Sequence, residues 1–573
     1  MIQRGMDNEY QDDVDFVPMH EYRGKVIEVS EKLLTLSSEM SDEDRNDESS
    51  FKNQETVDTK LENSDDNKIT KSGLQSRQQP KKMGISNLKL SIIFGVACVA
   101  ICSGITAALL WNSIFYKILF KELVLSPTSQ SYTMWEKTPI PMYLEIYLFN
   151  WTNPKDFSLQ SKYKPHFNEM GPYVFSEVDY KVNQVWNEND TITFQQKRVW
   201  HFIASKSKGT LSDKVTNINP VAASIGYKLR FKGLFALLVV NSVLKILNET
   251  QTITKTVREL LFDGYHDELL ELVNKLNVTK DLPLSKFGWF YNRNNSETYD
   301  GTFNMLTGSS GLWNTGILQE WNYSNKSKTF KHECGSINGT LGDIWPTNAE
   351  NKSVNIFAPD VCTLLNLDYS EQQEHEGLVG KKYVSTARML DNGTNVPSRA
   401  CYCQDVECQP SGALNVSSCK FGAPAFISLP HFYLADPSYL NAVDGLKPSK
   451  DKHEFSMLIE PNFGIPLQVK ARLQLNLLIQ PIKHLSIYTN IPRIYMPVLW
   501  FKQEANLTES YGKQIKFIAT LPLLGHVTFY GIACIGLLLT FIGTGLLIKR
   551  FRNSDDNQRL IPKTEVNTPS SNG

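Results

Sequence analysis

The sequence predicts an α+β membrane protein in which two transmembrane helices flank one large extracytosolic domain. Three observations predict this arrangement. Two long apolar segments without charged residues lie towards the ends of the 573-residue chain, and every N-glycosylation sequon lies between them. The region between them alternates apolar and polar residues as strands do, and it contains one helical stretch. The predicted parts are cytosolic tail 1–89, transmembrane helix 90–111, ectodomain 112–516, transmembrane helix 517–548 and cytosolic tail 549–573.

The overall charge excludes one class of function. The formal net charge is −1, so no bulk electrostatic attraction to nucleic acid is expected. The charges are unevenly placed, because residues 1–80 are rich in Asp, Glu, Ser and Asn, as in Ser41-Asp42-Glu43-Asp44. Such a segment cannot bury enough apolar surface to offset its ordering entropy, and it is predicted to be disordered.

The two apolar segments are long enough to cross a membrane. No charged residue occurs from Leu90 to Trp111, and the run from Phe517 to Ile548 is interrupted only by His526. About 20 apolar residues span the hydrocarbon core of a bilayer. A cleaved signal peptide is the alternative for the first run, but this run is too long and follows a long polar tail instead of a short basic one.

The flanking charges orient both helices. Lys81 and Lys82 precede the first apolar run, and Lys549-Arg550-Phe551-Arg552 follows the second. The positive-inside rule therefore places both tails in the cytosol. Lys117 and Lys121 lie on the other side of the first helix and weaken this argument.

The sequons support the same orientation. Asn-x-Ser/Thr motifs are glycosylation acceptors only in a secretory or extracellular compartment. Twelve lie between the two apolar runs and none lies in the tails, at Asn150, Asn189, Asn248, Asn277, Asn294, Asn322, Asn325, Asn338, Asn351, Asn392, Asn415 and Asn506. Their confinement to one region predicts that this region is extracellular or lumenal.

The cysteines indicate an oxidising compartment. Three lie within the apolar runs, and the other six are Cys334, Cys362, Cys401, Cys403, Cys408 and Cys419. An even number in a glycosylated domain predicts three disulfides, although the sequence alone leaves the pairing open. The alternative for Cys-x-Cys-x4-Cys is a thiolate metal site, which the predicted glycosylation disfavours. No metal or cofactor is predicted.

The ectodomain is predicted to be mostly antiparallel sheet with one helical region. Strand patterns run from Pro139 to Asn150, from Tyr173 to Tyr180, from Val182 to Trp186, from Thr191 to Trp200, and from Leu467 to Ile479. Between them, residues 235–276 carry apolar residues at helical spacing. The ordinary interpretation is a pair of core helices. However, the run Phe235 to Val240 is unusually apolar beside Lys245 and the sequon at Asn248, which favours a helical cap with an exposed apolar face.

No catalytic signature is present, and the chain is not predicted to be an enzyme. The sequence contains no Gly-x-Ser-x-Gly, His-Glu-x-x-His, P-loop or dinucleotide-binding motif. The second tail carries one recognition motif, in which three residues separate Asp556 from the pair Leu560 and Ile561. In a flexible cytosolic tail this pattern is typical of signals that bind endosomal and lysosomal adaptor complexes, which accept two apolar side chains and a carboxylate.

Several segments together resemble the class B scavenger receptor family over the region from Leu90 to Ile548. The most specific are Gly171-Pro172-Tyr173-Val174-Phe175, Arg258-Glu259-Leu260-Leu261, Asp300-Gly301 to Thr307-Gly308, Leu429-Pro430-His431-Phe432, Asp444-Gly445-Leu446-Lys447-Pro448, Ile459-Glu460-Pro461 with Gly464, and Arg472 to Leu478. The acidic first tail is longer than is usual in this family, and neither tail has the juxtamembrane cysteines that some members carry.

The resemblance implies an antiparallel β-barrel ectodomain, a helical apex at about 235–276 that meets ligands, and an internal tunnel for lipid. It implies the disulfides Cys334–Cys401, Cys362–Cys419 and Cys403–Cys408. In the fatty-acid-binding member, lysines in the apex help to capture anionic ligands. Here the nearest equivalent is Lys245, so the same ligand choice does not follow.

The predicted function is therefore a scavenger receptor that passes lipid from its apex to the membrane. The expected ligands are fatty acids, sterols, and the lipids of lipoproteins or apoptotic cells. An alternative is an endolysosomal receptor that sorts a lumenal protein through its tail. A ligand-gated channel shares the topology, but the apolar runs lack a polar pore-lining stripe. The expected location is the plasma membrane, the late endosomal and lysosomal membrane, or both.

Overall fold

The computed structural model describes residues 87–159, 163–275, 285–347, 352–403 and 408–559. The predicted tail 1–86 and the residues Leu560 and Ile561 lie outside this part of the chain. Two compact units are present, one within Met1–Ile93 and Gly543–Gly573 and the other from Phe94 to Ile542. The described part of the first unit consists of one end of each long helix, and the second unit contains the sheet.

Nine α-helices and fifteen strands lie within the described residues. The helices are α1 (Asn87–Leu123), α2 (Gln130–Glu136), α3 (Pro154–Leu159), α4 (Pro220–Leu229), α5 (Leu234–Ile246), α6 (Glu268–Lys275), α7 (Pro437–Ala442), α8 (Lys450–His453) and α9 (Glu509–Arg559). The strands are β1 (Met142–Trp151), β2 (Phe167–Trp186), β3 (Thr191–Phe202), β4 (Lys214–Ile218), β5 (Thr252–Thr256), β6 (Thr302–Leu306), β7 (Leu318–Trp321), β8 (Ser353–Ala358), β9 (Thr363–His375), β10 (Leu378–Val384), β11 (Ala413–Asn415), β12 (Ala425–Ser428), β13 (Ser456–Glu460), β14 (Ile465–Ile479) and β15 (Ile494–Asn506).

The helices α1 and α9 are both long and apolar enough to cross a membrane. This confirms the prediction of a two-span protein. Each helix continues beyond its predicted apolar run on both sides. The extensions contain charged residues, such as Lys121 in α1 and Lys513 in α9, and therefore fall outside the charge-free runs.

Glycines allow α1 and α9 to approach closely. A Cβ atom added at Gly104 would lie 2.7 Å from the backbone oxygen of Phe529, and one added at Gly536 would lie 2.8 Å from that of Ala97. The indole of Trp111 donates a hydrogen bond to the carbonyl oxygen of Pro522 at 3.2 Å. Small residues at such contacts let helix backbones meet within a bilayer.

Most strands form one antiparallel sheet. Its hydrogen-bonded order is β7-β6-β3-β2-β1-β15-β14-β13-β10-β9-β8, and β12 joins β14 from outside this path and carries β11. Long antiparallel pairs dominate it, including twelve paired positions between β14 and β15. The prediction of an antiparallel ectodomain is therefore confirmed.

A short segment closes the sheet into a barrel. The end strands β7 and β8 do not pair with each other but both bond to residues 339–340. The amide of Leu318 donates to the carbonyl oxygen of Gly339 at 2.9 Å, and the amide of Thr340 donates to the carbonyl oxygen of Asn355 at 3.0 Å. The amide of Phe357 in turn donates to the carbonyl oxygen of Thr340 at 2.8 Å. This seam satisfies the edge groups that an open sheet would expose.

The prediction of a helical region over 235–276 is wrong in part. The helices α5 and α6 lie within it, but residues Thr252–Thr256 form β5, which pairs with β4 in a two-stranded sheet. A further helix, α4, lies before it, where Asn219 caps the amide of Val221 at 3.1 Å and Pro220 takes the first helical position. The alternating Thr and Ile residues of β5 overrode the helical spacing around them.

One predicted strand boundary also differs. The segments predicted as separate strands up to Tyr180 and from Val182 are one strand, β2. Its pairing with β3 shifts between Val182 and Val185, and Asn183 has a φ of 52°. The bulge at the left-handed Asn183 thus lies two residues after the predicted break at Lys181 and does not end the strand.

The motif Asp444-Gly445 has a clear structural reason. The amide of Phe167 donates to the carbonyl of Asp444 at 3.0 Å. Gly445 has a φ of 95°, and a side chain there would collide with the backbone oxygen of Phe167. Glycine is required where two backbones approach this closely.

The three cysteine pairs implied by the family resemblance are joined in the structure. The Cα–Cα distances are 5.8 Å for Cys334–Cys401, 6.0 Å for Cys362–Cys419 and 5.1 Å for Cys403–Cys408. Cys98, Cys102 and Cys534 are unpaired and lie in α1 and α9.

Candidate functional site

A cavity of about 500 Å³ lies inside the barrel. Alternate residues of β14 and β15 form one wall, because successive side chains of a strand point to opposite faces. The wall is mostly apolar and consists of Val469, Ala471, Leu473, Leu475, Leu477, Leu499, Phe501, Gln503 and Ala505. The alternation that predicts the strand Leu467 to Ile479 is thus also the pattern that makes the cavity apolar.

The cavity extends between two distinct parts of the ectodomain. At one end it is lined by Val221 and Ile225 of α4 and by Phe421. At the other it is lined by Ile140 and by Leu507, which immediately follows β15 and precedes the membrane helix α9. The apolar lining therefore connects the helical region with the residues that directly precede α9.

A group of charged and polar side chains interrupts the apolar wall. Glu177 and Asp179 of β2, Gln196 and Arg198 of β3, and Arg293 all line the cavity. Each side chain is buried or nearly so, and Arg293 has only 7% of its surface exposed. We call these five residues the polar belt.

Ion pairs hold the polar belt together. Arg293 lies 2.6 Å from a carboxylate oxygen of Asp360 and 3.3 Å from one of Asp300. Arg198 lies 3.4 Å from the other oxygen of Asp300. Although burial opposes ionisation, Arg293 and nearby cations hold the pKa of Asp360 well below its usual range. Both guanidinium groups are therefore already neutralised by protein carboxylates.

The acidic side of the polar belt behaves differently. Asp179 contacts the buried amine of Lys181 at 2.7 Å, and Lys181 also contacts Asp343 at 2.9 Å. Glu177 has a more distant cation, Nε of Arg198 at 3.9 Å, and burial raises its pKa. The belt thus combines charge-paired cations, whose Nε atoms lack a hydrogen-bond partner among the described residues, with incompletely satisfied carboxyl groups.

Sequence reasoning missed the polar belt. The signal was present, because Glu177, Asp179 and Lys181 alternate with Val178 and Tyr180. Charged residues at every second position of a strand normally face solvent. Only the pairing of β2 with β3, which sets Glu177 beside Trp200 and Asp179 beside Arg198, shows that this face points inward.

The helix α5 presents an apolar surface to solvent. Phe231, Leu234, Phe235, Leu238, Val239 and Ile246 are all exposed, and Phe235 has 81% of its surface free. The opposite side of the helix is anchored by the buried residues Leu237 and Leu244. Contiguous exposed apolar residues of this kind mark interaction surfaces. The predicted exposed apolar face is present at this position.

Lys245 lies at the edge of this surface. It is exposed in the last turn of α5, next to Ile246, and the sequon residue Asn248 follows the helix with a φ of 50°. Arg230 lies before the helix and stacks on the ring of Tyr227 with its guanidinium carbon 3.5 Å from the ring centre. The apolar surface therefore has a basic residue at each end.

The sequons differ in accessibility. The exposed ones are Asn189, Asn248, Asn294, Asn322, Asn325 and Asn338, while Asn150 and Asn506 are half-buried. Asn392 and Asn415 are only 4% and 3% exposed. The side-chain amide of Asn392 donates to the backbone oxygen of Gln409. The folded chain therefore leaves no room for a glycan at Asn392 or Asn415, whereas Asn277 and Asn351 lie outside the described residues.

The sorting motif lies at the limit of the described chain. Asp556 falls within α9, and Leu560 and Ile561 are outside the described residues. The motif stays a prediction from the sequence.

Comparisons with known proteins identify the architecture. The profile of the CD36 family matches residues 93–547. Protein peste of Drosophila melanogaster is 37% identical over 466 residues, which cover 81% of this chain and 83% of that protein. Scavenger receptor class B member 1 of Sus scrofa is 32% identical over 475 residues, with 82% and 89% covered. Lysosome membrane protein 2 of Rattus norvegicus is 31% identical over 441 residues, with 76% and 90% covered.

Proposed function

The chain belongs to the CD36 family, and on that premise we propose that it is a scavenger receptor that conducts lipid through its barrel. Lipid binds at the apolar surface of α5, enters the cavity beside α4 and leaves next to the membrane helices. No catalytic step is involved. In this proposal residues 112–516 face the cell exterior or an organelle lumen, carry glycans on accessible sequons, and are anchored by helices whose outer ends lie in the cytosol.

The continuous lining of the cavity carries this proposal. Its apolar residues extend from α4 to Leu507, two residues before α9 begins. A lipid chain inside it stays out of water along its whole path, which saves about 0.8 kcal/mol for each methylene group. The barrel thereby lowers the barrier to leaving one lipid phase for another, and transfer follows the concentration gradient.

The exposed helix α5 supplies the entry step. Its apolar residues can insert among the lipids of a particle, as the apolar face of an interfacial helix does. Arg230 and Lys245 flank this face and attract anionic surfaces. Adsorption and transfer therefore use adjacent parts of the same ectodomain.

Blocking the cavity tests the transfer step. Ala471 lines the cavity and presents only a methyl group, so Ala471→Trp places an indole across the path. We expect transfer of tritiated oleyl alcohol, from phosphatidylcholine vesicles to vesicles holding the full-length protein, to fall about tenfold or more. Forcing even two methylene groups into water costs about 1.6 kcal/mol.

A bulky residue outside the barrel provides the control. Val379 of β10 is exposed and does not line the cavity. Val379→Trp therefore adds the same side chain without obstructing the path. Equal transfer by the native chain and both variants would refute conduction through the barrel.

A second function, sorting of a lumenal protein to lysosomes, is favoured by the tail motif and by the similarity to lysosome membrane protein 2. Changing Leu560 and Ile561 to Ala removes the apolar pair that an adaptor pocket would bind. We expect the full-length protein to move from late endosomes to the plasma membrane, as seen by microscopy of a C-terminal epitope. Because the C-terminal tail is expected in the cytosol, the epitope should stain only in permeabilised cells. Changing the nearby Asn557 and Gln558 to Ala is the control, and an unchanged distribution of the Leu560/Ile561 variant would exclude this function.

A further inference from the structure

Three oxygen atoms of the polar belt have no hydrogen-bond partner among the described residues. They are Oε2 of Glu177, Oδ1 of Asp179 and Oε1 of Gln196. All three side chains line the cavity, and each is at most 4% exposed. A buried polar atom without a partner costs about 1–3 kcal/mol. These atoms therefore mark a place where a ligand can supply the hydrogen bonds that the protein does not.

Three donors that line the same cavity also lack a hydrogen-bond partner among the described residues, namely Nε of Arg198, Nε of Arg293 and Nε1 of Trp200. The donors that do reach the belt carboxyl groups contact their other oxygen atoms. Gln503 donates to Oε1 of Glu177 at 2.8 Å, and Lys181 donates to Oδ2 of Asp179 at 2.7 Å. The amide nitrogen of Gln196 also donates to Oδ2 of Asp179. That bond fixes the orientation of the Gln196 amide and leaves its oxygen, an acceptor, as the free atom. A ligand group that satisfies both the free oxygens and the free donors must therefore donate and accept hydrogen bonds.

An anionic headgroup does not meet this need. The guanidinium groups of Arg198 and Arg293 are already paired with Asp300 and Asp360. A carboxylate in the cavity would add negative charge beside Glu177 and Asp179 and could satisfy none of the free oxygens. A hydroxyl group both donates and accepts, so it matches Glu177 whether or not that residue carries a proton.

We propose that the polar belt is a binding site for the hydroxyl group of a neutral lipid, and that it disfavours lipids with a free carboxylate. The hydroxyl lies between Glu177, Asp179 and Gln196, and the hydrocarbon lies along the leucines of β14. This inference rests on the proposed conduction of lipid and adds a selectivity to it. The barrel then acts as a filter for headgroup chemistry as well as a path for hydrocarbon.

A series of lipids with one chain and different headgroups tests the selectivity. Full-length protein in vesicles is offered tritiated oleyl alcohol, oleyl methyl ether or oleate at about pH 8.5, where a carboxyl group is ionised. We expect the alcohol to be transferred about tenfold faster than either of the others, because only the alcohol donates a hydrogen bond and is uncharged. This comparison uses the native chain and does not depend on how a variant folds.

Substitutions in the polar belt locate the selectivity. Gln196→Leu removes one free oxygen, and we expect the preference for the alcohol over the ether to fall about threefold. Ser176→Ala, on the neighbouring outward position of β2, should leave it unchanged. Equal transfer of the alcohol and the ether by the native chain would refute the proposed hydroxyl-binding site. An unaltered preference for the alcohol in Gln196→Leu would refute it as well. Transfer of no lipid above the level of protein-free vesicles would instead refute the proposed conduction.

Discussion

The variant Arg293→Leu is expected to lower the free energy of unfolding by about 3–5 kcal/mol, because it leaves buried carboxylates without their partner. Arg293 contacts both Asp300 and Asp360, at 3.3 Å and 2.6 Å, and is itself 7% exposed. Asp300 keeps Arg198 as a second partner at 3.4 Å. Most of the loss therefore falls on Asp360, whose only other close cation is Lys420 at 3.8 Å among the described residues.

Thermal and denaturant unfolding of the full-length protein in detergent measure this loss. The double variant Arg293→Leu with Asp360→Asn should recover part of it, because the unpaired charge is removed as well. The control is Arg388→Leu, which breaks a half-exposed pair with Asp368 at 3.4 Å and should cost at most about 1 kcal/mol. Equal losses for Arg293→Leu and Arg388→Leu would contradict the buried network.

The same network predicts the response to acid. The pKa of Asp360 is lower in the folded chain than its ordinary value, because Arg293 outweighs the effect of burial. Its contribution to stability is therefore complete above about pH 4 and is lost as the pH falls further. The pH of a late endosome lies above this range, so the pair of Arg293 with Asp360 stays intact there. The variant Arg293→Leu should show a weaker loss of stability below about pH 4.

Local patterns predicted much of the fold. The charge-free runs gave two long helices, and the alternation from Leu467 to Ile479 gave β14 within two residues at one end. These predictions succeeded because membrane burial and one-sided sheet burial act on residues close together in sequence. The exposed apolar face of α5 was also local, since Phe235 to Val240 stands out beside Lys245.

Long-range pairing explains what the sequence did not show. Glu177 faces the cavity only because β2 pairs with β3 on one side and β1 on the other. The seam at Gly339 and Thr340 depends on two strands that are far apart along the chain. No short window contains either fact. The two-stranded sheet of β4 and β5 was missed for the same reason, because two helices separate Thr252–Thr256 from its partner strand in the sequence.

The disulfide Cys334–Cys401 lies next to the seam of the barrel. Cys334 precedes Gly339 and Thr340 by only a few residues, and its backbone oxygen accepts a hydrogen bond from Thr363 of β9 at 2.8 Å. Cys401 belongs to a segment held by Arg399, whose guanidinium donates to the backbone oxygen of Met389 at 2.8 Å. The bond therefore ties the closing segment to a separately anchored part of the ectodomain.

Removing this bond with Cys334→Ser and Cys401→Ser should cost about 4 kcal/mol, since it links residues 67 positions apart. The same change at Cys403 and Cys408, which are 5 positions apart, should cost only about 2 kcal/mol. Unfolding of the two full-length variants in detergent compares these values. Equal losses would contradict a dependence on the length of chain that the bond encloses.

Hydrogen exchange distinguishes an opened seam from general destabilisation. In the Cys334/Cys401 variant, the amides of Thr340 and Phe357 should exchange faster than in the native chain, while those in the paired centre of β14 and β15 stay protected. An open seam also admits water to the cavity, which removes the advantage of a dry path for hydrocarbon. Lipid transfer should therefore fall in this variant at temperatures where the barrel is still folded. Uniform loss of protection across all strands would show instead that the bond stabilises the whole barrel and has no special role in closing it.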